Sequence, residues 1–396
     1  MSQPSAIIPG FSFASISSGI KKSGAEDLAL VYSEKTAVTA GVFTTNKIKA
    51  APVKITMKLI ASQRGQAIII NSGNANACTG KKGYNDASEM AARAAEELGI
   101  SPDLVYASST GVIGRPLPMD KIRKALPQLA GRLSPSSLEK IASAIMTTDT
   151  FAKISSRKIP MKGKTGTIAG IAKGAGMICP DMATMLCFIF TDIAIRPEAL
   201  KSALREAVAG SFNRISIDND MSTNDMALIM ANGSLKNMPL SKGNPLYLKF
   251  KNALADITYD LARMIVEDGE GASKFVEIEV KGARNEADAL KAASSVANSM
   301  LVKTALYGKD PNWGRIIAAV GYSGIDIDEE KIDIYLNNIK LVTRGTGTGK
   351  EKIARNVLSN KYIRMTIHLN SGRKSAKVLT CDLTKKYIEI NAHYTT

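Results

Sequence analysis

The sequence predicts a mixed α/β protein in which helices cover β-sheets. Apolar and charged residues alternate over Val276–Val280, which indicates a half-exposed strand. Apolar residues recur at helical spacing from Phe250 to Met264, behind the helix-opening Pro245. These patterns are interspersed without the regular strand–helix alternation of a doubly wound parallel sheet. We therefore expect antiparallel sheets covered by helices, in a chain without repeats or low-complexity linkers.

The other elements follow from local patterns in chain order. The apolar run Ala67–Asn71 indicates a buried strand, and the small polar residues after it suit a loop near a ligand. Asp86, with a glutamate three residues later, forms a capping box that predicts the start of a helix. Ser134, followed by proline, predicts the start of another helix. Asn337 and the next asparagine predict a hairpin turn between two alternating segments.

Composition excludes several classes of protein. No apolar run approaches the roughly 18 to 20 residues that a membrane span needs, and the N-terminal segment lacks the basic region of a signal peptide. The four cysteines show no metal-ligand spacing, which favours reduced thiols, a cytoplasmic location and no bound metal. The glycine-rich segment Gly345–Lys350 lacks the spacing of a phosphate-binding loop, so we expect no nucleotide cofactor.

The chain is strongly basic, with a formal net charge of +16. Such a charge is typical of nucleic-acid-binding proteins, but the lysines and arginines are scattered singly or in pairs. Aromatic residues make up 5% of the chain and do not interleave with basic residues as a base-stacking surface requires. A basic surface that attracts anionic amino acids is the better interpretation.

The segment Lys173–Thr184 (KGAGMICPDMAT) carries the strongest functional signal. A glycine-rich, proline-containing loop runs into a threonine that opens a buried apolar strand. Such a threonine is usually a strand residue and nothing more. Cleavage between Ala183 and Thr184 would instead place the Thr184 hydroxyl beside its own free amine, whose pKa of about 7.7–8.0 suits a general base. The chain has only two histidines, His368 and His393, and neither stands in a recognisable catalytic motif, which favours a nucleophile that carries its own base.

This segment resembles the self-cleavage motif of the ornithine acetyltransferase family. Further matches occur in the segment Ser108–Pro116 (SSTGVIGRP), in Glu267–Lys274 (EDGEGASK) and in the region around Trp313, so that the resemblance covers nearly the whole chain. The resemblance implies a layered α-β-β-α sandwich like that of N-terminal-nucleophile hydrolases. It also implies autocleavage into an α chain, residues 1–183, and a β chain, residues 184–396.

The resemblance assigns roles to individual residues. Thr184 would be the nucleophile, and Thr110 with Gly111 would form the oxyanion hole. The substrate-binding residues implied by the motif positions are Thr147, Lys173, Thr184, Glu270, Asn391 and Thr396. Glu270 suits the side-chain ammonium of ornithine, and Lys173 suits a carboxylate. His393 receives no role.

The activity implied is transfer of an acetyl group from N-acetylornithine to glutamate through an acetyl-threonine enzyme, within arginine biosynthesis. Whether acetyl-CoA also serves as a donor stays open. An amidase or aminopeptidase on the same self-cleaved scaffold is the alternative, with water as the acceptor. Related enzymes suggest an assembly of two α and two β chains, without nucleic-acid or membrane partners.

Overall fold

The computed structural model describes residues 7–135, 138–179 and 185–393. The strands are β1 (Phe11–Ile16), β2 (Leu28–Phe43), β3 (Arg64–Asn74), β4 (Val105–Val112), β5 (Lys153–Met161), β6 (Lys164–Lys173), β7 (Leu186–Thr191), β8 (Ile215–Ser216), β9 (Met226–Ala231), β10 (Phe275–Ala283), β11 (Asp333–Leu336), β12 (Ile339–Thr343), β13 (Thr346–Gly347), β14 (Tyr362–His368) and β15 (Lys374–Cys381). The helices are α1 (Ala51–Leu59), α2 (Gly80–Leu98), α3 (Met119–Gly131), α4 (Leu138–Ala144), α5 (Pro197–Gly210), α6 (Pro245–Glu267), α7 (Glu286–Asn298), α8 (Met300–Tyr307), α9 (Trp313–Gly321), α10 (Glu351–Val357) and α11 (Lys385–His393).

The first sheet folds back on itself and forms the two middle layers of a sandwich. Its strand order is β4-β3-β2-β9-β7-β6-β5, with β1 paired to β2. The long strand β2 belongs to both halves, because residues 28–33 pair with β1 and residues 38–43 pair with β9. Its pairing with β3 shifts register between Tyr32 and Ala37. The ring of Phe190 on β7 lies 5.3 Å from the rings of Phe11 and Phe13 on β1, which shows that the two halves face each other.

Side chains alternate between the two faces of each strand, and this alternation produces three stacked apolar cores. On β7, Phe188 and Phe190 point into the core between the two sheet halves, whereas Cys187 and Ile189 point toward α5 and α6. On β3, Ile68 enters the inter-sheet core and its neighbours point toward α2 and α3. Successive side chains of a strand point to opposite faces, so strands apolar at every position are buried on both faces. The layers are therefore helix, sheet, sheet and helix, which confirms the expected sandwich.

A second sheet lies wholly within the C-terminal part of the chain. Its strand order is β13-β12-β11-β14-β10-β15-β8, and α7, α8, α9 and α10 share its apolar core. Trp313 opens α9, and its indole N–H donates a hydrogen bond to Glu351 at 3.0 Å. Gly347 packs so closely against the indole that a Cβ there would lie 2.7 Å from a ring carbon. Strands β15 and β8 of this second sheet contact helix α6, which packs on the first sheet.

Several local expectations are confirmed and others are wrong. Helix α6 begins at Pro245, β10 contains the alternating segment, and the Asn337 turn joins β11 to β12. The sheets are mixed rather than antiparallel, because β3–β4, β7–β9 and β10–β14 are parallel pairs. Asp86 lies inside α2, which begins at Gly80. The C-terminal tail forms α11, and α4 is described from Leu138. No helix within the described ranges is long and apolar enough to cross a bilayer.

The strands that follow position 184 lie in the middle of the first sheet. Strands β7 and β9 stand between β2 and β6, and both of these belong to the part of the chain that precedes position 184. The two parts thus share two strand interfaces, β2–β9 and β6–β7, with six registered residue pairs each. Neither part could leave without dismantling the central sheet and its cores.

This arrangement predicts that a cut between residues 183 and 184 leaves one particle. Under native conditions the two fragments should elute together in size-exclusion chromatography, because separation would break both strand interfaces and expose the inter-sheet core. In a urea series they should separate only in the transition that removes the circular-dichroism signal of the sheets. Separation before that transition would contradict the shared sheet.

Candidate active site

A cavity of about 140 Å³ opens at one end of the inter-sheet core. Six residues that the sequence singled out line it, and these are Thr110, Gly111, Thr147, Lys173, Glu270 and Asn391. They come from β4, from the loop after α4, from β6, from the turn after α6 and from α11. The sequence-predicted residues Ala183, Thr184 and Thr396 lie outside the described residues. The roles of all of these residues stay predictions.

Lys173 and Thr110 meet because their strands present them to the same inter-sheet space. The Lys173 ammonium donates a hydrogen bond to the Thr110 hydroxyl at 3.3 Å. Lys173 is only 4% exposed, and burial lowers its pKa, while the nearby carboxylate of Asp149 raises it. A buried ammonium with a fixed position is a strong anchor for a carboxylate ligand.

Gly111 occupies a position that only glycine can fill. Its φ is +131°, and a Cβ there would lie 2.3 Å from the carbonyl carbon of Gly73 on the paired strand β3. The end of β4 is further held by Asn224, whose amide donates to the backbone oxygens of Ser109 and Ala75 at 2.8 and 2.7 Å. The backbone that carries the predicted oxyanion hole is therefore tightly fixed.

Glu270 is held from three sides at the mouth of the cavity. Its backbone N–H donates to the oxygen of Ala175 at 2.8 Å, and the side-chain amide of Asn391 donates to its carboxylate at 2.8 Å. The carboxylate lies directly over Gly176, where a Cβ would come within 2.5 Å of the Glu270 carboxyl carbon. The absence of a side chain at Gly176 therefore sets the place of this carboxylate.

Sequence reasoning missed three further groups around the cavity. Asp218 lines it and accepts hydrogen bonds from the backbone N–H groups of Met177 and Ile178 at 2.6 and 2.8 Å. The Tyr387 hydroxyl donates to Asp218 at 3.2 Å. Burial raises the pKa of Asp218 and also that of Tyr387. Together with Glu270, Asp218 makes one end of the cavity acidic.

Asp225 is the third group, and it lies against the start of β7. One carboxylate oxygen accepts the backbone N–H of Met185 at 3.1 Å. The other is buried and has no hydrogen-bond partner among the described residues. Burial raises the pKa of Asp225 well above 3.8. An acidic residue directly before the all-apolar strand β9 was the available sequence signal.

Among the described residues, no group of three or more histidine, cysteine, aspartate or glutamate side chains has the geometry to hold a metal ion. The structure contains no disulfide among Cys78, Cys179, Cys187 and Cys381, although Cys187 and Cys381 are buried. The exposed His393 lies at the end of α11 and is not among the residues that line the cavity. The described residues that line the cavity include hydroxyl, ammonium, carboxyl and amide side chains.

We predict that Asp225→Asn stabilises the protein in a pH-dependent way. A carboxyl whose pKa is higher in the folded state makes stability fall as pH rises from its unfolded pKa, near 3.8, toward its folded pKa. The variant should therefore match the wild type below about pH 4 and exceed it at pH 7 by on the order of 1–3 kcal/mol. Urea unfolding at several pH values measures this. The exposed Asp256→Asn is the control, and a gain that does not depend on pH would contradict the prediction.

Comparisons with known proteins match a single family over almost the whole chain. The ArgJ family profile matches residues 12–396. The Arginine biosynthesis bifunctional protein ArgJ of Geobacter sulfurreducens is 49% identical over 391 residues, which cover 98% of this chain and 100% of that protein. The protein of the same description from Syntrophotalea carbinolica is also 49% identical, with 98% and 99% covered.

A solved structure is also similar to part of the chain. The crystal structure of Arginine biosynthesis bifunctional protein ArgJ from Bacillus halodurans matches with 42% identity and a TM-score of 0.51. The match covers 98% of that crystal chain but 52% of this one. Since the family profile and the relatives both span almost every residue, the chain belongs to the ArgJ family.

Proposed function

We propose that this protein is a self-cleaving N-acetyltransferase that moves an acetyl group from N-acetylornithine to glutamate. The observation that carries the proposal is the convergence of Thr110, Gly111, Lys173 and Glu270 on one cavity, where Lys173 pairs with Leu186 at the start of β7. Such a site offers an oxyanion hole, a cation for the substrate carboxylate and an anion for an ammonium. The relatives' description as arginine-biosynthesis proteins supports the choice of substrates.

The proposed reaction begins with self-cleavage. The Thr184 hydroxyl attacks the carbonyl carbon of Ala183, and the resulting ester is hydrolysed, which leaves Thr184 with a free amine. The products would be an α chain of residues 1–183 and a β chain of residues 184–396.

In the transfer reaction the Thr184 amine takes the proton from its own hydroxyl as that hydroxyl attacks the acetyl carbonyl. The oxyanion forms against the Thr110 hydroxyl and the Gly111 backbone N–H. Collapse expels ornithine, whose amine takes the proton, and leaves an acetyl ester on Thr184. The α-amine of glutamate then attacks the ester, and N-acetylglutamate leaves. Because ornithine departs before glutamate binds, the kinetics are ping-pong.

Electrostatics of the cavity suit both half-reactions. Lys173 would bind the α-carboxylate that the two substrates share. Glu270, with Asp218 nearby, would face the side-chain ammonium of ornithine. Glutamate carries a carboxylate at that end, where burial raises the pKa of Asp218. Thr147 and Asn391 complete the substrate contacts in this proposal, and Thr396 is proposed from the family motif alone.

The proposal also includes a second acetyl donor and the assembly of the α and β chains. The bifunctional description of the relatives supports a second reaction, in which acetyl-CoA supplies the acetyl group to glutamate. Two α and two β chains form the proposed assembly. A cytoplasmic location is proposed from the spacing of the cysteines in the sequence.

We predict that Thr184→Ala abolishes both cleavage and transfer. Intact-mass spectrometry should show two fragments, of 183 and 213 residues, in the wild type and one chain in the variant. Thr184→Ser keeps a hydroxyl and should still cleave, and the exposed Thr165→Ala is the control that changes nothing. An uncut wild type with full acetyl transfer would overturn the mechanism. Release of acetate without transfer to glutamate would identify an amidase instead.

A second prediction concerns Gly176→Ala. The added methyl group would displace the Glu270 carboxylate, and a flexible side chain can move without unfolding the protein. We expect about a tenfold rise in KM for N-acetylornithine with kcat nearly unchanged, since charge-assisted contacts contribute about 1.5–3 kcal/mol. Steady-state kinetics measure this. Gly210→Ala, where a Cβ has open space, is the matched control, and an unchanged KM would remove Glu270 from the substrate contacts.

A further inference from the structure

A buried ion cluster lies behind the cavity, and the proposed reaction does not use it. The Lys153 side chain is fully buried, and its ammonium lies 2.7 Å from a carboxylate oxygen of Asp149 and 2.6 Å from one of Asp268. Removing three charges from water is costly and seldom gives net stability, although breaking such a cluster is strongly destabilising. A cluster of this kind next to a binding cavity therefore calls for a role besides stability.

Asp149 connects the cluster to the predicted substrate contacts. The oxygen that binds Lys153 also accepts the backbone N–H of Gly174 at 2.7 Å, directly after Lys173. The second oxygen accepts the backbone N–H of Thr147 at 3.1 Å. One side chain thus fixes the backbone at two substrate-contact positions that are 26 residues apart in the sequence.

Asp268 holds the other side of Lys153. Its carboxylate accepts the backbone N–H of Thr150 at 3.0 Å and also binds the Thr150 hydroxyl. Asp268 follows α6 and lies two residues before Glu270. It therefore belongs to the C-terminal part of the chain, whereas Lys153 and Asp149 precede position 184.

We propose that Asp149 is a positioning residue, which holds the backbone at Thr147 and next to Lys173 and places a negative charge near the Lys173 ammonium. Lys153 and Asp268 support this role of Asp149. The negative charge of Asp268 balances the positive charge of Lys153, so that the negative charge of Asp149 can act on Lys173. The inference rests on the proposed function, in which Lys173 binds the substrate carboxylate.

The charges around Lys173 agree with this assignment. The carboxylates that face it are Asp149, Asp225 and Glu270, and the cations are Lys153 and Lys21. Burial would raise the pKa of Asp149, but the charges of Lys173 and Lys153 and the Gly174 hydrogen bond lower it to about 2. Asp149 is therefore ionised at every pH at which the protein would work. Together with Lys173, the cluster contains two carboxylates and two ammonium groups, so that their formal charges balance.

The test compares Asp149→Asn with Asp268→Asn. Each variant removes one carboxylate from Lys153 and keeps the side-chain shape, so their losses of stability in urea should be similar. Asp149→Asn should also raise KM for N-acetylornithine and for glutamate at least about tenfold, because a charge-assisted contact is lost. It should move the falling basic limb of kcat/KM to lower pH by about one unit or more, since Lys173 loses its proton sooner. Asp268→Asn should shift that limb by less than half as much.

A second readout does not depend on activity. The pKa of Lys173 can be followed by NMR of lysine labelled with ¹³C at Cε, with the signal identified by its loss in Lys173→Met. A lower Lys173 pKa in Asp149→Asn supports the inference, even in a protein without acetyl transfer, which would contradict the proposed function alone. An unmoved Lys173 titration, or equal shifts in the two variants, overturns the inference. If Asp149→Asn fails to fold, Asp149→Ser takes its place, because it removes the charge and admits water.

Discussion

The structure depends on one constraint, which is that strands from both sides of position 184 share a single sheet. Strands β7 and β9 complete a sheet whose other members come from the preceding part of the chain. The inter-sheet core forms only when this sheet folds over along β2, and the cavity opens at the end of that core. The order of the strands therefore places Lys173, Thr110 and the start of β7 beside one another. The same order leads us to expect that the sheet holds together when the peptide bond before Thr184 is cut.

The cavity and its surroundings contain several buried charged groups, and burying a charge costs free energy of folding. Lys173, Lys153, Asp149, Asp225 and Asp268 are all at least 92% buried. Their carboxylates and ammonium groups nearly balance, so the cost of burial is reduced but not removed. Burial of Asp225 raises its pKa well above 3.8, which shows that its charged form is disfavoured inside the protein. Functional sites commonly hold such groups, at the expense of stability.

Residue spacing in the sequence predicted those helices and strands that have one buried apolar face and one exposed polar face. Helix α6 and strand β10 each have a clear apolar side, so their positions could be predicted from spacing. Helix α11 could not, because none of its residues is buried and its apolar residues form no stripe. The parallel pairs β3–β4 and β7–β9 were missed as well, because the partner of a strand is decided by long-range packing and not by its own sequence.

In the site, too, some residues could be found from local sequence motifs, whereas others could be recognised only from contacts between distant parts of the chain. Thr110, Lys173 and Glu270 were found through motifs that resemble a known family, and the structure brings them to one cavity. Lys153 and Asp268 were not found, since they are 115 residues apart and each looks like an ordinary surface charge in sequence. The available signal was weak in both cases: Lys153 opens a strand with a buried face, and Asp268 follows an apolar helix. Their meaning appears only when the fold brings them together.

Helix α11 is the least firmly anchored wall of the site. Tyr387 and Asn391 line the cavity, and Asn391 donates a hydrogen bond to Glu270. No residue of α11 is buried, so little apolar contact holds the helix against the rest of the protein. Local opening of the site would therefore begin at α11, and the support of the Glu270 carboxylate by Asn391 would be lost with it.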